Sequence, residues 1–329
     1  MKQHNMHMMM ISKLSDYTNI TINTMQTAVS KCESDCISLS GGLDSSIITY
    51  LAQNRKINTV TINTKNFKSD DLIYSQRITN KFNIQLDTLT ITIYDIALAI
   101  DNTIQILKNF NDIEIRNSVA MYIILKHIKR KGYNSIITGD GADELFFGYN
   151  FMLKKNIQEL QDEFKRILTI MHFPILKLGK SLNIKIETPF LHTDVIKLAG
   201  QIPISFKINK NHNIKYGKWI LRKSFEKKLP YGISWRIKSP IQDGSGTTNL
   251  IGFFDSFIDD NEFQKTKSEI YKHDNIIIRS KESLYYYKIF KKHFKLPKIL
   301  SSNKKACPYC NYTKKIFSKF CTMCGSFPI

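Results

Sequence analysis

Four strings in this chain combine residue types that can do chemistry. The first is Ser40-Gly41-Gly42-Leu43-Asp44-Ser45-Ser46. Its glycines let the backbone come close to a ligand and turn N–H groups toward an anion, and its serine hydroxyls can donate to phosphate oxygens. Asp44 would repel a bare phosphate, so its presence makes sense if it holds Mg²⁺. No GxxxxGK[ST] string occurs, which excludes the P-loop NTPase reading. The second string is Gly139-Asp140-Gly141-Ala142-Asp143-Glu144, followed by Leu145-Phe146-Phe147-Gly148-Tyr149. An exposed acidic loop is one reading; the Leu-Phe-Phe run favours a tucked-in loop whose carboxylates need a cation. The third, Trp235-Arg236-Ile237-Lys238-Ser239-Pro240-Ile241-Gln242-Asp243-Gly244-Ser245-Gly246, sets a basic pair before a glycine-rich loop suited to clamping pyrophosphate. Just upstream, Lys218 and Arg222 stand at i, i+4 and are expected on one helix face, where a solvated basic face is an equally good reading.

The fourth string is Cys307-Pro308-Tyr309-Cys310, ten residues, then Cys321-Thr322-Met323-Cys324-Gly325. Two Cys-x-x-Cys knuckles at this spacing predict a closed Cys₄ Zn²⁺ site, structural because no ligand position is left open. So short a module cannot build a core, so the metal supplies its folding energy. Cys32 and Cys36 have no partner ligands nearby in sequence and are expected to be unligated thiols.

These strings must be positioned by regular elements. Strand signals at 36–40, 59–64, 84–93 and 135–138 alternate with helical ones at 43–53, 70–81, 95–110 and 118–131. This alternation predicts an α/β fold with a doubly wound parallel sheet, whose ligand site lies at the carboxyl ends of the strands. The first two strings sit at such ends. After Gly148 strand signals fade, and helices are expected at 151–171, 193–200, 215–228 and 283–294, giving a mainly helical second half. Residues 1–24 show no clear pattern and are expected to be an extension. Residues 296–305 read as a linker to the small C-terminal zinc ribbon at 304–329.

The 329 residues suit about two domains plus a small module. With 42% hydrophobic residues the chain can bury a core, which excludes a disordered or fibrous protein. No apolar run is long enough for a membrane helix, and the start does not read as a secretory signal, so a cytoplasmic protein is expected. The net charge of +20 raises the expectation of a polyanionic partner. From Lys291 onward there are nine lysines and no acid.

Together, the first three strings resemble the synthetase domain of the asparagine synthase family, a member of the PP-loop ATP pyrophosphatases. The resemblance covers roughly residues 30 to 250, within a domain drawn at 25–298. It implies attack of a substrate carboxylate on the ATP α-phosphorus, giving an acyl-adenylate and pyrophosphate, and then displacement of AMP by ammonia or another amine. It assigns Ser40, Gly41, Gly42, Asp44, Ser45 and Ser46 to the pyrophosphate loop. Asp44 and Asp143 become Mg²⁺ ligands, and Gly139 and Ile62 line the nucleoside. Asp140 is placed near the reacting centre. Lys238 stabilises charge as pyrophosphate leaves, which a fixed ammonium does well. Arg116 falls near the acceptor or pyrophosphate.

Departures bear on the substrates. Typical members begin with a glutaminase domain whose nucleophile is an N-terminal cysteine; here Lys2 follows Met1 and the first cysteine is Cys32. Nitrogen is therefore expected from free ammonia, a separate glutaminase or another amine. The family's Glu-x-Arg becomes Lys185-Ile186-Glu187, its aspartate becomes His192, and threonines expected before Arg116 become Ile113 and Glu114. These changes put aspartate as acceptor in question. The basic ribbon could dock RNA or protein. A PP-loop tRNA-modifying enzyme and a non-catalytic nucleotide-binding module are the competing readings.

Overall fold

The computed structural model describes residues 2–65, 70–236, 249–296, 306–314 and 318–329. A five-stranded sheet lies at the centre, with every pairing parallel. Its strands are β1 (Cys36–Ser38), β2 (Asn58–Thr64), β3 (Gln85–Ile91), β4 (Ser135–Ile137) and β5 (Lys185–Glu187), in the order β3-β2-β1-β4-β5. β2 and β3 pair along seven residues, from Asn58 with Gln85 to Thr64 with Ile91. In the short central strands Ile37 stands opposite both Thr59 and Ile137.

Alternation along these strands sends side chains to two cores. Cys36, Val60, Ile62 and Ile136 face a core built with α4 (Ile93–Leu107), α5 (Asp112–Arg130) and α8 (Pro174–Leu182). Ile37, Leu39 and Ile137 face the other, built with α2 (Leu43–Ala52), α3 (Asp70–Phe82) and α6 (Ala142–Phe146). The chain leaves β1 in one direction for β2 and β3, and in the other for β4 and β5. The point of reversal lies between β1 and β4, where such sheets open a crevice for ligands. The first two strings flank it.

Four expectations need correction. Residues 2–24 are not patternless extension: they are helical, within α1 (Lys2–Ser30). The docking face of α1 includes Thr21, Met25, Ala28 and Val29, spaced for one helix side and all buried. It packs on α2 and on α9 (Thr193–Gln201). Second, strands do continue after Gly148. β5 is a three-residue edge strand of Lys-Ile-Glu, too short and too charged to show as a strand in sequence. Third, the helix expected at 151–171 begins later. A 3₁₀ turn covers Asn150–Lys154, and α7 (Ile157–Ile170) starts at an Asn156–Glu159 capping box. Fourth, residues 215–228 are not one helix. After the short α10 (Ile204–Lys207), a hairpin pairs β6 (Asn209–Asn211) with β7 (Ile214–Tyr216) through His212 and Asn213, both at positive φ. Lys218 then takes a left-handed conformation, φ 53°, before α11 (Trp219–Phe225). Lys218 and Arg222 therefore do not share a helix face.

Beyond residue 248, α12 (Asn249–Phe257), α13 (Asp260–Asp274) and α14 (Lys281–His293) close the α5 side of the sheet. The expected linker falls almost wholly outside the described residues. The C-terminal segment is docked on the main body. Phe110 N–H donates to Met323 O at 2.9 Å and Ile277 N–H to Tyr309 O at 2.7 Å. The Arg279 guanidinium reaches both Asp112 Oδ1, at 2.7 Å, and Cys324 O, at 2.8 Å.

Candidate active site and metal centre

The loop after β1 is shaped for an anion. Gly41 has φ +63°, and a Cβ there would lie 2.4 Å from Tyr74 Cβ, so any side chain is refused on both counts. Gly42 caps the ten-residue α2 without a side-chain hydrogen bond. The first-turn N–H groups and the helix dipole thus face the crevice. Ser45 Oγ accepts from Ser40 N–H and donates to Gly42 O, both at 3.3 Å. Ser46 Oγ is buried without a hydrogen-bond partner among the described residues.

The acidic loop after β4 meets it directly. A Cβ on Gly139 would stand 3.0 Å from Asp44 Cβ, so glycine lets the two loops touch. Thr138 Oγ1 donates to Asp140 Oδ2 at 2.6 Å. Burial raises the Asp140 carboxyl above the usual carboxylate range, and the negative charges of Asp143 and Asp44 add to the rise. Glu144 is also raised, by burial first, and accepts a hydrogen bond from Tyr149 Oη. The loop is tucked in, as the Leu-Phe-Phe run suggests: Leu145, Phe146 and Phe147 are wholly buried.

Between the loops stands Lys218. Its Nζ lies 2.6 Å from Asp44 Oδ2 and 2.8 Å from Asp143 Oδ1, and its side chain is 3% exposed. Burial works against the ammonium, but the two carboxylates outweigh it and hold Lys218 above its ordinary value. The packing is tight on every side. A Cβ on Gly148 would strike Asp143 Oδ1 and Lys218 Cε, and one on Gly217 would strike the Phe147 carbonyl. Lys218 N–H itself donates to Phe146 O at 2.8 Å. Asp44 Oδ1 is buried with no hydrogen-bond partner among the described residues. A buried, orphaned carboxylate oxygen beside a second carboxylate is a donor set that fits a hard divalent cation such as Mg²⁺.

Arg222 organises the approach from the third string. Its guanidinium donates to Gly217 O at 2.9 Å, Ser234 O at 2.6 Å and Arg236 O at 3.0 Å. Trp235 is pinned by its indole N–H on Glu226, 3.1 Å away. Arg236 stacks 4.1 Å over the Tyr74 ring and reaches Asp71 Oδ1 at 3.3 Å and Gly41 O at 3.5 Å. The start of this string thus touches the phosphate loop. Lys238 and the glycine-rich remainder lie outside the described residues.

Ile62 is buried in the α4–α5 core. Arg116 makes a two-pronged ion pair with Glu282 of α14, at 2.9 and 2.5 Å, and is 7% exposed. Glu114 sits between Asn109 and His172, each 2.8 Å away. Glu187 accepts from the N–H groups of Glu33 and Ser34 at 2.9 Å and pairs with Lys185 at 2.8 Å. It ties β5 to the start of β1. His192 caps α9 through Nδ1.

Sequence reasoning missed Lys218 as a bridge and Arg222 as an organiser. The one local signal was Gly217, a breaker directly before Lys218 that argues against a continuous helix.

The four C-terminal cysteines form one cluster, their sulfurs all within 4.8 Å of one another. Cys307 and Cys324 sulfurs are 3.8 Å apart, and those of Cys310 and Cys321 3.6 Å. A tetrahedral Zn–S₄ centre with bonds of about 2.3 Å has sulfur–sulfur edges of about 3.8 Å, so the set could hold such an ion. Each knuckle closes alike: Asn311 N–H donates to Cys307 O and Gly325 N–H to Cys321 O, with Asn311 and Gly325 at positive φ.

A parallel sheet whose switch point brings a glycine-rich loop against an acidic loop defines an α/β nucleotide-binding class. The Asparagine synthase family model matches residues 28–171 and 164–299, and the chain belongs to that family. A nodule asparagine synthetase (glutamine-hydrolysing) of Pisum sativum is 29% identical over 281 residues, covering 78% of this chain and 47% of that protein. Asparagine synthetase B (glutamine-hydrolysing) of Escherichia coli K12 is 27% identical, covering 79% and 50%. The chain spans about half the length of these relatives. Among solved structures, an NH₃-dependent NAD synthetase from Campylobacter jejuni is 17% identical with TM-score 0.31, covering 71% of this chain and 96% of that one.

Proposed function

We propose that this protein is an ATP-dependent, AMP-forming amide ligase that adenylates a substrate carboxylate and transfers ammonia, or another amine, to it. The observation that carries the reading is the meeting of the two loops, with Asp44 and Asp143 turned to one shared cationic position beside the open N-terminus of α2. Ser40, Gly41, Gly42, Ser45 and Ser46 bind the pyrophosphate portion of ATP. Asp44 and Asp143 hold Mg²⁺, which when bound neutralises charge on the phosphates. Asp140, its carboxyl raised above the usual carboxylate range by burial, faces the reacting centre. Lys238 answers the charge that develops on leaving pyrophosphate, and Arg222 holds the carbonyl groups of Ser234 and Arg236. Gly139 and Ile62 border the nucleoside, and Arg116 supports the acceptor side through its pair with Glu282.

The acceptor is a carboxylate, aspartate or another; Glu114 is paired with Asn109 and His172, and His192 caps α9. The cysteine cluster holds Zn²⁺ in a ribbon at 304–329, behind a synthetase unit at 25–298. The basic composition of the ribbon suits RNA or a protein as its partner. Clustered, unpaired thiols fit the reducing cytoplasm, and among the described residues no helix is long and apolar enough to cross a membrane. The test is pyrophosphate release from ATP and Mg²⁺ with ammonium and a panel of carboxylates. Release that depends on one carboxylate supports the reading; a tRNA-dependent release favours the tRNA-modifying alternative. No release with any acceptor leaves only a binding module.

A further inference from the structure

Lys218 is buried between the two carboxylates that the proposed function assigns to Mg²⁺, and this inference rests on that assignment. Its Nζ lies within hydrogen-bond distance of one oxygen of each. A cation bridging Asp44 and Asp143 would need that position, because Mg²⁺ binds carboxylate oxygens at about 2.1 Å. The backbone that carries the ammonium is held in place, so only the end of the side chain can move. Its backbone is fixed by the bond from its N–H to Phe146 O and by the left-handed turn after Gly217, and Gly148 packs against its stem.

We propose that Lys218 is a positioning residue that acts as a resident counter-cation. It holds the Asp44 and Asp143 carboxylates together while the nucleotide is absent, and excludes a bare divalent ion from the bridging position. Metal then enters only with the nucleotide, whose phosphates give the displaced ammonium a new anionic partner. Two partly buried carboxylates without a cation repel each other, so a lysine here keeps the two loops together before substrate arrives. Asp44 Oδ1, buried and without a hydrogen-bond partner among the described residues, is the oxygen left for the incoming metal. The metal would thereby be gated by the nucleotide instead of residing permanently in the site.

The test measures Mn²⁺ binding to the full, zinc-loaded chain by electron paramagnetic resonance, with no turnover. Wild type should bind Mn²⁺ weakly alone and about tenfold or more tightly once α,β-methylene-ATP is added. Lys218→Met, which keeps the stem but removes the charge, should bind Mn²⁺ without nucleotide about tenfold or more tightly than wild type. Lys218→Arg should stay weak. Equal nucleotide-free affinity in wild type and folded Lys218→Met overturns the inference. Should Lys218→Met not fold, the wild-type arm decides: tight Mn²⁺ binding without nucleotide overturns the inference as well. If the ATP analogue does not bind at all, the proposed function fails, while the comparison of wild type with Lys218→Met still judges the role of Lys218.

Discussion

Phe110, just before α5, donates its backbone N–H to the carbonyl oxygen of Met323, inside the second cysteine knuckle, at 2.9 Å. That bond joins the ribbon to the segment that begins the helix carrying Arg116. Phe110 also packs edge-on to Tyr287, with ring centroids 5.3 Å apart, so the contact continues into α14. The cysteine-bearing segment is part of the wall of the main body.

Removing the Zn²⁺ proposed for the cysteine cluster, by chelation or by Cys321→Ser, should therefore lower the unfolding temperature of the whole chain and speed amide exchange at residues 109–116. A ribbon hanging free would lose only its own structure. Unchanged exchange at 109–116 after complete metal loss would show that the docking contributes nothing to the body.

Asp71 should set an acidic limb. Burial raises its carboxyl from 3.8 to about 6, although Arg236 pulls the other way. Below about pH 6 Asp71 becomes neutral and its pair with Arg236, 3.3 Å long, loses its charge. Activity should fall as pH drops through 6. The stability contribution runs oppositely: between about 4 and 6 the folded chain holds a proton the unfolded chain has released, so this term weakens as pH rises across that window. Asp71→Asn should remove the limb from the pH–rate profile; an unaltered limb would assign it to another group.

Lys207 is 2% exposed, and its Nζ lies 3.6 Å from the centroid of the Phe164 ring and 4.8 Å from that of Phe147. No ion-pair partner stands beside it among the described residues, and burial lowers it from 10.5 to about 7. Its folded value is depressed, so the cost of burial is fully present below pH 7 and is relieved as pH rises from 7 toward 10.5. Lys207→Met, similar in volume, should raise the melting temperature by roughly 5 °C at pH 6 and by less at pH 9.5. Equal or lower stability at pH 6 would mean that the cation–π contacts outweigh desolvation.

Ammonium, and not glutamine, should support amide formation by this chain. Burial pushes the Cys32 thiol up to about 11 and that of Cys36 to about 12, so neither is a thiolate near neutrality. The remaining four cysteines are gathered in the cluster. Glutamate release from glutamine by the purified chain would contradict this.

What could be read from the sequence was what the backbone demands locally. Gly41 and Gly139 are fixed by a positive φ or a close approach, and the acidic loop by three carboxylates at a strand end; such needs leave their mark within a few residues. The alternation of strands and helices as far as β4 was visible for the same reason. β5 was not, because a three-residue charged edge strand has no apolar period. α1 was not, because its docking face is made of residues as small or polar as Thr21 and Ala28. Lys218 escaped because its meaning is its distance from Asp44 and Asp143, which only the folded chain sets. The pairs of Arg116 with Glu282 and of Glu114 with His172 are long-range in the same way.

The most direct measurement follows oxygen. With an acceptor that supports pyrophosphate release, its carboxylate labelled with ¹⁸O, and unlabelled ATP, Mg²⁺ and ammonium, the products are separated and weighed by mass spectrometry. Attack on the α-phosphorus leaves one labelled oxygen in AMP and none in pyrophosphate, and this is the result expected. Label in inorganic phosphate, with ADP as the nucleotide product, would mean activation at the γ-phosphorus and would contradict the assignment of this site to adenylation.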